Sequence, residues 1–287
     1  MNIKKILSRL LIFFIGLPGI LAIIYFLPFR NHLVMNILII ISSSIGAVEF
    51  ALMLRAKGFP VYITEAAILG TLSPLSATII VSFGTNSQIT QSLFIIGASW
   101  LLVSEIFYYK HRDDFSLVLN RLTAGFSVMI YPGLLLSWII TMAALTYSTT
   151  VILTFILTVM ANDSMAWVTG MLFGKNNRGI FSVSPNKSVA GYIGGMAASI
   201  GACIFLAYFR PHAFVPDQIG RLPSAMFLGF FSGIAVILGD LAESAIKRSS
   251  GFKDSGHFFP GRGGMLDSTD SVALTAPVFY VLYRFFF

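Results

Sequence analysis

Charge is what this sequence is shortest of. Asp, Glu, Lys and Arg together make up 11% of its 287 residues, where a soluble domain carries about 25%. With 56% of residues hydrophobic and a mean hydropathy of +0.83, a water-soluble globular domain is excluded and an all-α integral membrane protein is expected. Cysteine is almost absent as well: Cys203 alone cannot close an internal disulfide, and its apolar and small neighbours mark a buried structural thiol. No repeat argues for a duplicated transporter fold, no low-complexity tail is present, and no GxxxxGK[ST] phosphate loop occurs.

What is there is apolar runs. A helix crossing the hydrocarbon needs about 20 mostly apolar residues in sequence, which allows about nine transmembrane helices with short loops and leaves no room for a large soluble domain. The expected spans are 10–28, 33–54, 61–83, 89–109, 118–140, 150–171, 189–208, 222–243 and 271–286. The opening MNIKKILSRLLIFFIGLPG has the basic head of a signal peptide. Its apolar run is too long for one and no small-residue cleavage site follows, so a retained first span is expected.

With the N-terminus cytoplasmic, the inner segments hold Lys4, Lys5, Arg9, Arg55, Lys57, Lys110, Arg112, Arg121, Lys175, Arg178, Lys187, Lys247, Arg248, Lys253 and Arg262. That leaves only Arg30, Arg210, Arg221 and Arg284 of the 19 basic residues outside, as the positive-inside rule requires. The acids follow the same side. Glu49, Glu65, Glu105, Asp163 and Asp240 fall toward the cytoplasmic ends of spans; Asp113, Asp114, Glu243, Asp254, Asp267 and Asp270 lie in or beside cytoplasmic loops, and Asp217 is outside. The net charge of +7 therefore reports topology and attraction to anionic membrane lipids, and is no nucleic-acid footprint.

Glu49 stands six residues before Arg55, close enough to the interface to snorkel or pair, and is read as structural, as are Glu65 and Glu105. Asp163, between Asn162 and Ser164, is deeper from either end of its span, where a charge faces a wet cavity or a partner; it is read as functional. Pro18, Pro74, Pro132 and Pro277 interrupt apolar runs, and the small residues from Gly191 to Cys203 suit close helix packing.

The one long polar stretch is Gly239 to Asp270, GDLAESAIKRSSGFKDSGHFFPGRGGMLDSTD. If the eighth helix continues through its first part, Asp240, Glu243 or Ser244, and Lys247 share one face. The glycine density that follows suits a chain bringing backbone N–H groups close to something anionic. Acids interleaved with lysine and arginine suggest a metal-bound phosphate, and oxygen ligands of this kind suit Mg²⁺. On spacing alone a solvated loop with incidental ion pairs is the alternative.

SAIKRSSGFKDSGHFFPGRGGMLDSTDS resembles the signature of the phosphatidate cytidylyltransferases (CDP-diacylglycerol synthases). Ser244, Lys247, Arg248, Lys253, Asp254, Pro260, Gly261, Gly263, Gly264, Asp267 and Asp270 match it in type and order. NDSMAWVTGMLFGK and SPNKSVAG resemble two further family segments and supply Asp163, Gly170, Gly174, Ser184, Pro185, Lys187, Ser188 and Gly191. The chain departs from the family pattern in having Arg262-Gly263-Gly264 for His-Gly-Gly, Asp267-Ser268 for Asp-Arg, and Lys187-Ser188-Val189-Ala190-Gly191 for Lys-Thr-x-Glu-Gly.

The resemblance implies a catalytic membrane domain over 150–287, with cytoplasmic loops 172–188 and 244–270, behind a scaffold of helices over 1–149. It implies that phosphatidate attacks CTP to give CDP-diacylglycerol and pyrophosphate. Asp240, Asp267 and Asp270 would hold Mg²⁺, with a second or a monovalent cation left open, and Asp163 would line the same cleft. Lys247, Arg248, Lys253 and Arg262 would hold phosphates, with Ser244, Gly263 and Gly264 beside them, while Ser184, Lys187 and Ser188 would form a second phosphate-facing loop. Arg262 would bind phosphate where the family has histidine, its permanent charge offsetting the arginine missing after Asp267. The setting implied is a bacterial inner membrane with the active site facing the cytoplasm; a homodimer is left open. The rival readings are a CTP-dependent kinase of a polyprenol or phytol type lipid, a cation-coupled transporter and a non-catalytic relative.

Overall fold

A computed structural model describes residues 15–86, 88–108, 115–216, 219–259 and 263–287. Arg262, with Pro260 and Gly261 of the signature, lies outside the described residues, as do Lys4, Lys5, Arg9, Lys110, Arg112, Asp113, Asp114 and Asp217. Nine helices are found among the described residues, with no strand between them: α1 Leu17–Phe26, α2 Phe29–Ala56, α3 Ile63–Phe83, α4 Gln88–Tyr108, α5 Val118–Met142, α6 Ser148–Phe173, α7 Val189–Phe209, α8 Arg221–Ser250 and α9 Leu266–Phe286.

Six of these, α2, α3, α5, α6, α7 and α8, are long and apolar enough to cross a membrane. The chain is thus an all-α, multi-helix membrane protein. α4 carries a shorter apolar core over Ser92–Phe107 and α1 is a short apolar helix. The start of α9 carries Asp267 and Asp270, and both are costly in hydrocarbon.

The chain divides into two compact units. One comprises residues 1–141 and 249–268, the other 142–248 and 269–287.

In the first unit, proline chemistry explains the central crossing. Pro74 lies inside α3, so it has no N–H to give to the carbonyl of Gly70. That carbonyl accepts instead from the Ser43 hydroxyl of α2 at 2.7 Å, and the same hydroxyl lies against the carbonyl of Pro132. Pro132 is accommodated by a π-helical turn over Met129–Leu134 within α5, a common way to absorb a break in the helical ladder. Gly133 permits the close approach: a Cβ there would stand 2.8 Å from the Gly70 oxygen. Farther along these helices, Arg121 of α5 is buried between Glu65 at 2.8 Å and Glu105 at 3.0 Å, with Trp100 donating to Glu65 at 2.9 Å. These two acids are ion-pair partners of one arginine.

In the second unit, the small residues of α7 lie against α6 and α8, as the composition of 191–203 suggests. A Cβ on Gly191 would meet the Ala166 carbonyl at 2.8 Å, one on Gly195 the Asn162 side chain at 2.7 Å, and one on Gly229 of α8 the Ile200 backbone at 2.6 Å. Asn162 donates to Ser199 across the α6–α7 contact at 2.8 Å. Cys203 is buried with its sulfur 3.3 Å from the Thr158 hydroxyl.

Replacing Ser43 with Ala removes the donor to a buried carbonyl that its own helix cannot satisfy. The expected loss is about 1–3 kcal/mol, read as a lower thermal unfolding midpoint in detergent; an unchanged midpoint would show that the Gly70 carbonyl finds another partner.

Candidate functional site

Within the second unit, the polar residues converge from four segments. α8 runs unbroken from Arg221 to Ser250, so Asp240, Ser244 and Lys247 do share one helical face. Asp240 forms an ion pair with Lys187, and Lys247 pairs with Glu243 one turn before it, whose carboxylate is fully buried. Asp270 has Asp240 and Asp163 as like-charged neighbours and Lys247 as an opposite one. Asp163 and Asp240 are thereby neighbours of Asp270, with Lys187 paired to Asp240 and Lys247 near Asp270. Arg248 is exposed and Ser244 half-buried on the same helix.

Lys187 is presented by a closed loop. Gly179 N–H donates to the Lys187 carbonyl at 3.1 Å and Val189 N–H to the Asn177 carbonyl at 2.9 Å, which pins the loop between α6 and α7 at its neck. Ser188 caps α7, its hydroxyl accepting from Gly191 N–H at 3.1 Å, as serine does at a helix start. Gly174 must lack a side chain because a Cβ would collide with that serine. Ser184 is half-buried in the loop, where its N–H donates to the Phe181 carbonyl at 3.1 Å.

The glycine-rich signature belongs to the first unit, and the anions its N–H groups meet there are the protein's own carboxylates. Asp267 Oδ2 accepts from Ser255 N–H and Gly264 N–H, both at 2.7 Å. Glu49 of α2 is buried and reaches the same place: its Oε1 accepts from Met265 N–H and its Oε2 from Leu266 N–H, each at 2.9 Å. Asp267 N–H donates to the Ser255 hydroxyl at 3.2 Å. The opening N–H groups of α9, which no helical carbonyl can satisfy, are taken up by Glu49 and Ser255, and two carboxylates at a helix N-terminus also suit its dipole.

The glycines follow from this arrangement. A Cβ on Gly264 would strike the Ser255 hydroxyl and both Glu49 oxygens, and one on Gly256 would strike the Glu49 carboxylate. Gly263 has φ +115° and donates its N–H to the Phe259 carbonyl at 3.1 Å. Lys253 is exposed.

Among the described residues, no group of three or more His, Cys, Asp or Glu side chains is placed to hold a metal ion. The donor set nonetheless fits Mg²⁺, which takes one or two carboxylates and fills its remaining positions with water and phosphate oxygens. Asp240 and Asp270 are the carboxylates that would hold it. Sequence spacing missed Glu49 and Ser255 as partners of the signature. The signal present was the glycine density, which correctly pointed to an anion close to the backbone.

A helical membrane protein that gathers carboxylates and lysines from several helices and a loop has the equipment of a membrane enzyme acting on phosphates. The Cytidylyltransferase family model matches residues 7–286, and the chain belongs to that family. It is 37% identical over 127 residues to a phosphatidate cytidylyltransferase of Haemophilus influenzae, covering 44% of this chain and 43% of that protein. It is 31% identical over 204 residues to one of Thermotoga maritima, 70% and 71% of the two chains. With one of Staphylococcus aureus the match is 29% over 270 residues, covering 93% and 96%.

Gly264→Ala is expected to lower the unfolding midpoint by an amount equivalent to about 1–3 kcal/mol, the usual cost of forcing atoms into a packed site. Gly201→Ala, where a Cβ meets nothing within 4 Å, is the control and should hold or slightly raise the midpoint, alanine being the better residue in a helix interior. Equal midpoints in the two variants would mean that the signature tolerates displacement of Glu49.

Proposed function

We propose that the chain is a CTP:phosphatidate cytidylyltransferase, converting CTP and phosphatidate to CDP-diacylglycerol and pyrophosphate in phospholipid synthesis. The observation that carries this reading is the neighbourhood of Asp270, with Asp163, Asp240 and Lys247 near it and Lys187 paired to Asp240, in a chain matched almost end to end by the Cytidylyltransferase family.

In the proposed reaction an oxygen of the phosphatidate phosphate attacks the α-phosphorus of CTP. The new P–O bond forms as the bond from the α-phosphorus to the bridging oxygen breaks, and pyrophosphate leaves. A phosphate monoester has its second pKa near 6, so the attacking oxygen is already largely ionised at neutral pH and no side chain has to remove its proton. What the chain must supply is charge compensation and alignment of two polyanions.

Lys187, Lys247, Arg248, Lys253 and Arg262 are assigned to the phosphates, with Ser184, Ser244 and Gly263 lining their approach; the Gly264 N–H and the Ser188 hydroxyl are already engaged, by Asp267 and by the Gly191 N–H. Asp240 and Asp270, with Asp163 as a neighbour of Asp270, are assigned to Mg²⁺, and Asp267 is assigned a role in the same reaction. Bound there, Mg²⁺ would neutralise phosphate charge and polarise the phosphoryl oxygens. The Glu243 carboxylate fixes Lys247 from one turn below, so that the ammonium is held in place before any substrate arrives.

Nine spans with the N-terminus in the cytoplasm accompany this reading, supported by the bias of basic residues described above. CTP then enters from the cytoplasm while the acyl chains of phosphatidate stay in the bilayer, in a bacterial inner membrane.

Purified protein given CTP, Mg²⁺ and phosphatidate should yield a nucleotide-lipid, whereas a long-chain alcohol should yield no phosphorylated lipid. EDTA should abolish turnover and added Mg²⁺ restore it. Asp240→Asn should lower kcat by about 100-fold or more in protein that still inserts; turnover at the wild-type rate in this variant would sink the assignment of Asp240.

A further inference from the structure

Glu49 has no part in the reaction as described so far, and its spacing from Arg55 suggests nothing more than an interfacial charge. We propose that Glu49 is a positioning residue of the active site, holding the first turn of α9 and the Ser255 turn so that Asp267 is correctly aimed. This rests on the assignment of Asp267 to the reaction made above.

The geometry is reciprocal. Gly264, Met265, Leu266 and Asp267 present four successive N–H groups. The first goes to the Asp267 carboxylate at 2.7 Å, the next two to Glu49 at 2.9 Å each, and the last to the Ser255 hydroxyl at 3.2 Å. That hydroxyl lies 2.9 Å from Glu49 Oε2 and 3.0 Å from Asp267 Oδ2. Ser255 thus stands between the two carboxylates, and its own N–H binds Asp267 at 2.7 Å. Any shift of the backbone that Glu49 grips carries Gly264 and Ser255 with it, and these are the groups that orient the Asp267 carboxylate.

The surroundings of Glu49 demand a carboxylate. Its neighbours are donors: two backbone N–H groups and a hydroxyl, from residues 206 to 217 positions later in the chain. A carboxylate accepts from all of them. The amide of glutamine has the same shape but turns an NH2 group toward one of these donors, leaving a buried hydrogen bond unmade. Gly256 and Gly264 leave that carboxylate no space to swing away, since their missing Cβ atoms are the room it occupies. Outer-shell groups that orient a ligating carboxylate are worth about 10- to 100-fold in metal affinity or activity.

The test uses full-length Glu49→Gln in detergent or nanodiscs, with Asp267→Asn as reference and Ser255→Ala as a second variant that removes the shared hydroxyl with little change in volume. Amide hydrogen exchange should accelerate in residues 263–268 and stay unchanged in α6 and α7. Per folded molecule, kcat should fall on the order of 10- to 100-fold while the KM for CTP holds, and the Mg²⁺ concentration needed for half-maximal rate should rise. A role in stability alone would lower the yield or the unfolding midpoint and leave kcat of the folded protein intact, which overturns the proposal, as does wild-type exchange together with wild-type kcat. If Glu49→Gln cannot be isolated folded, the same split in Ser255→Ala decides the matter. Asp267→Asn at the wild-type rate would remove the premise about Asp267. Asp267→Asn inactive beside Glu49→Gln fully active would overturn the inference about Glu49 alone.

Discussion

A helix that begins inside a protein presents N–H groups which its own carbonyls cannot reach, and in a chain this poor in charge the acceptors must come from somewhere deliberate. At α9 they come from Glu49, a residue of α2, and from Ser255. Much of the signature sequence follows from that requirement. Gly256 and Gly264 are side-chain-free because the Glu49 carboxylate occupies the space beside them. Ser255 is a serine because one hydroxyl meets two carboxylates and an N–H. The apparent phosphate cradle is in this structure a cradle for the protein's own anions, and it sets the carboxylate of Asp267 at the head of the helix that carries Asp270.

The same economy governs the other charges. Arg121 holds Glu65 and Glu105 together in the first unit, and in the second Lys187 meets Asp240 while Lys247 meets Glu243. Charges in a membrane protein are kept where a partner or a function compensates their desolvation. The N-terminal helices are therefore more than an apolar scaffold: their acids serve the signature loop and an internal ion-pair cluster.

Composition was enough to read the fold class, and apolar runs located most helices closely. α7 begins at Val189 as expected, α3 covers Ile63–Phe83 against an expected 61–83, and α8 continues past the membrane-length segment to Ser250, as the shared face of Asp240 and Lys247 required. Hydropathy was less informative where a polar and an apolar stretch share one helix, which is why α9 begins at Leu266, ahead of the expected 271. The site was legible as residue types and illegible as partners. Lys187 and Asp240 come from separate loops and helices, and spacing along one segment is silent about the other. For Glu49 the nearest charge in sequence, Arg55, suggested a local pairing, while its hydrogen bonds run to residues more than 200 positions away. Glycine density carried the right message, an anion against the backbone, without saying whose anion it was.

The central chemical claim is that the α-phosphorus of CTP is attacked and that the acceptor is already a phosphate. The most direct measurement follows a labelled phosphorus through one incubation of purified protein with phosphatidate and Mg²⁺. With CTP labelled at the α-phosphorus, label should enter the lipid product; with CTP labelled at the γ-phosphorus, all of it should leave as pyrophosphate. Label from the γ-phosphorus appearing in lipid would contradict the account and mark the protein as a kinase.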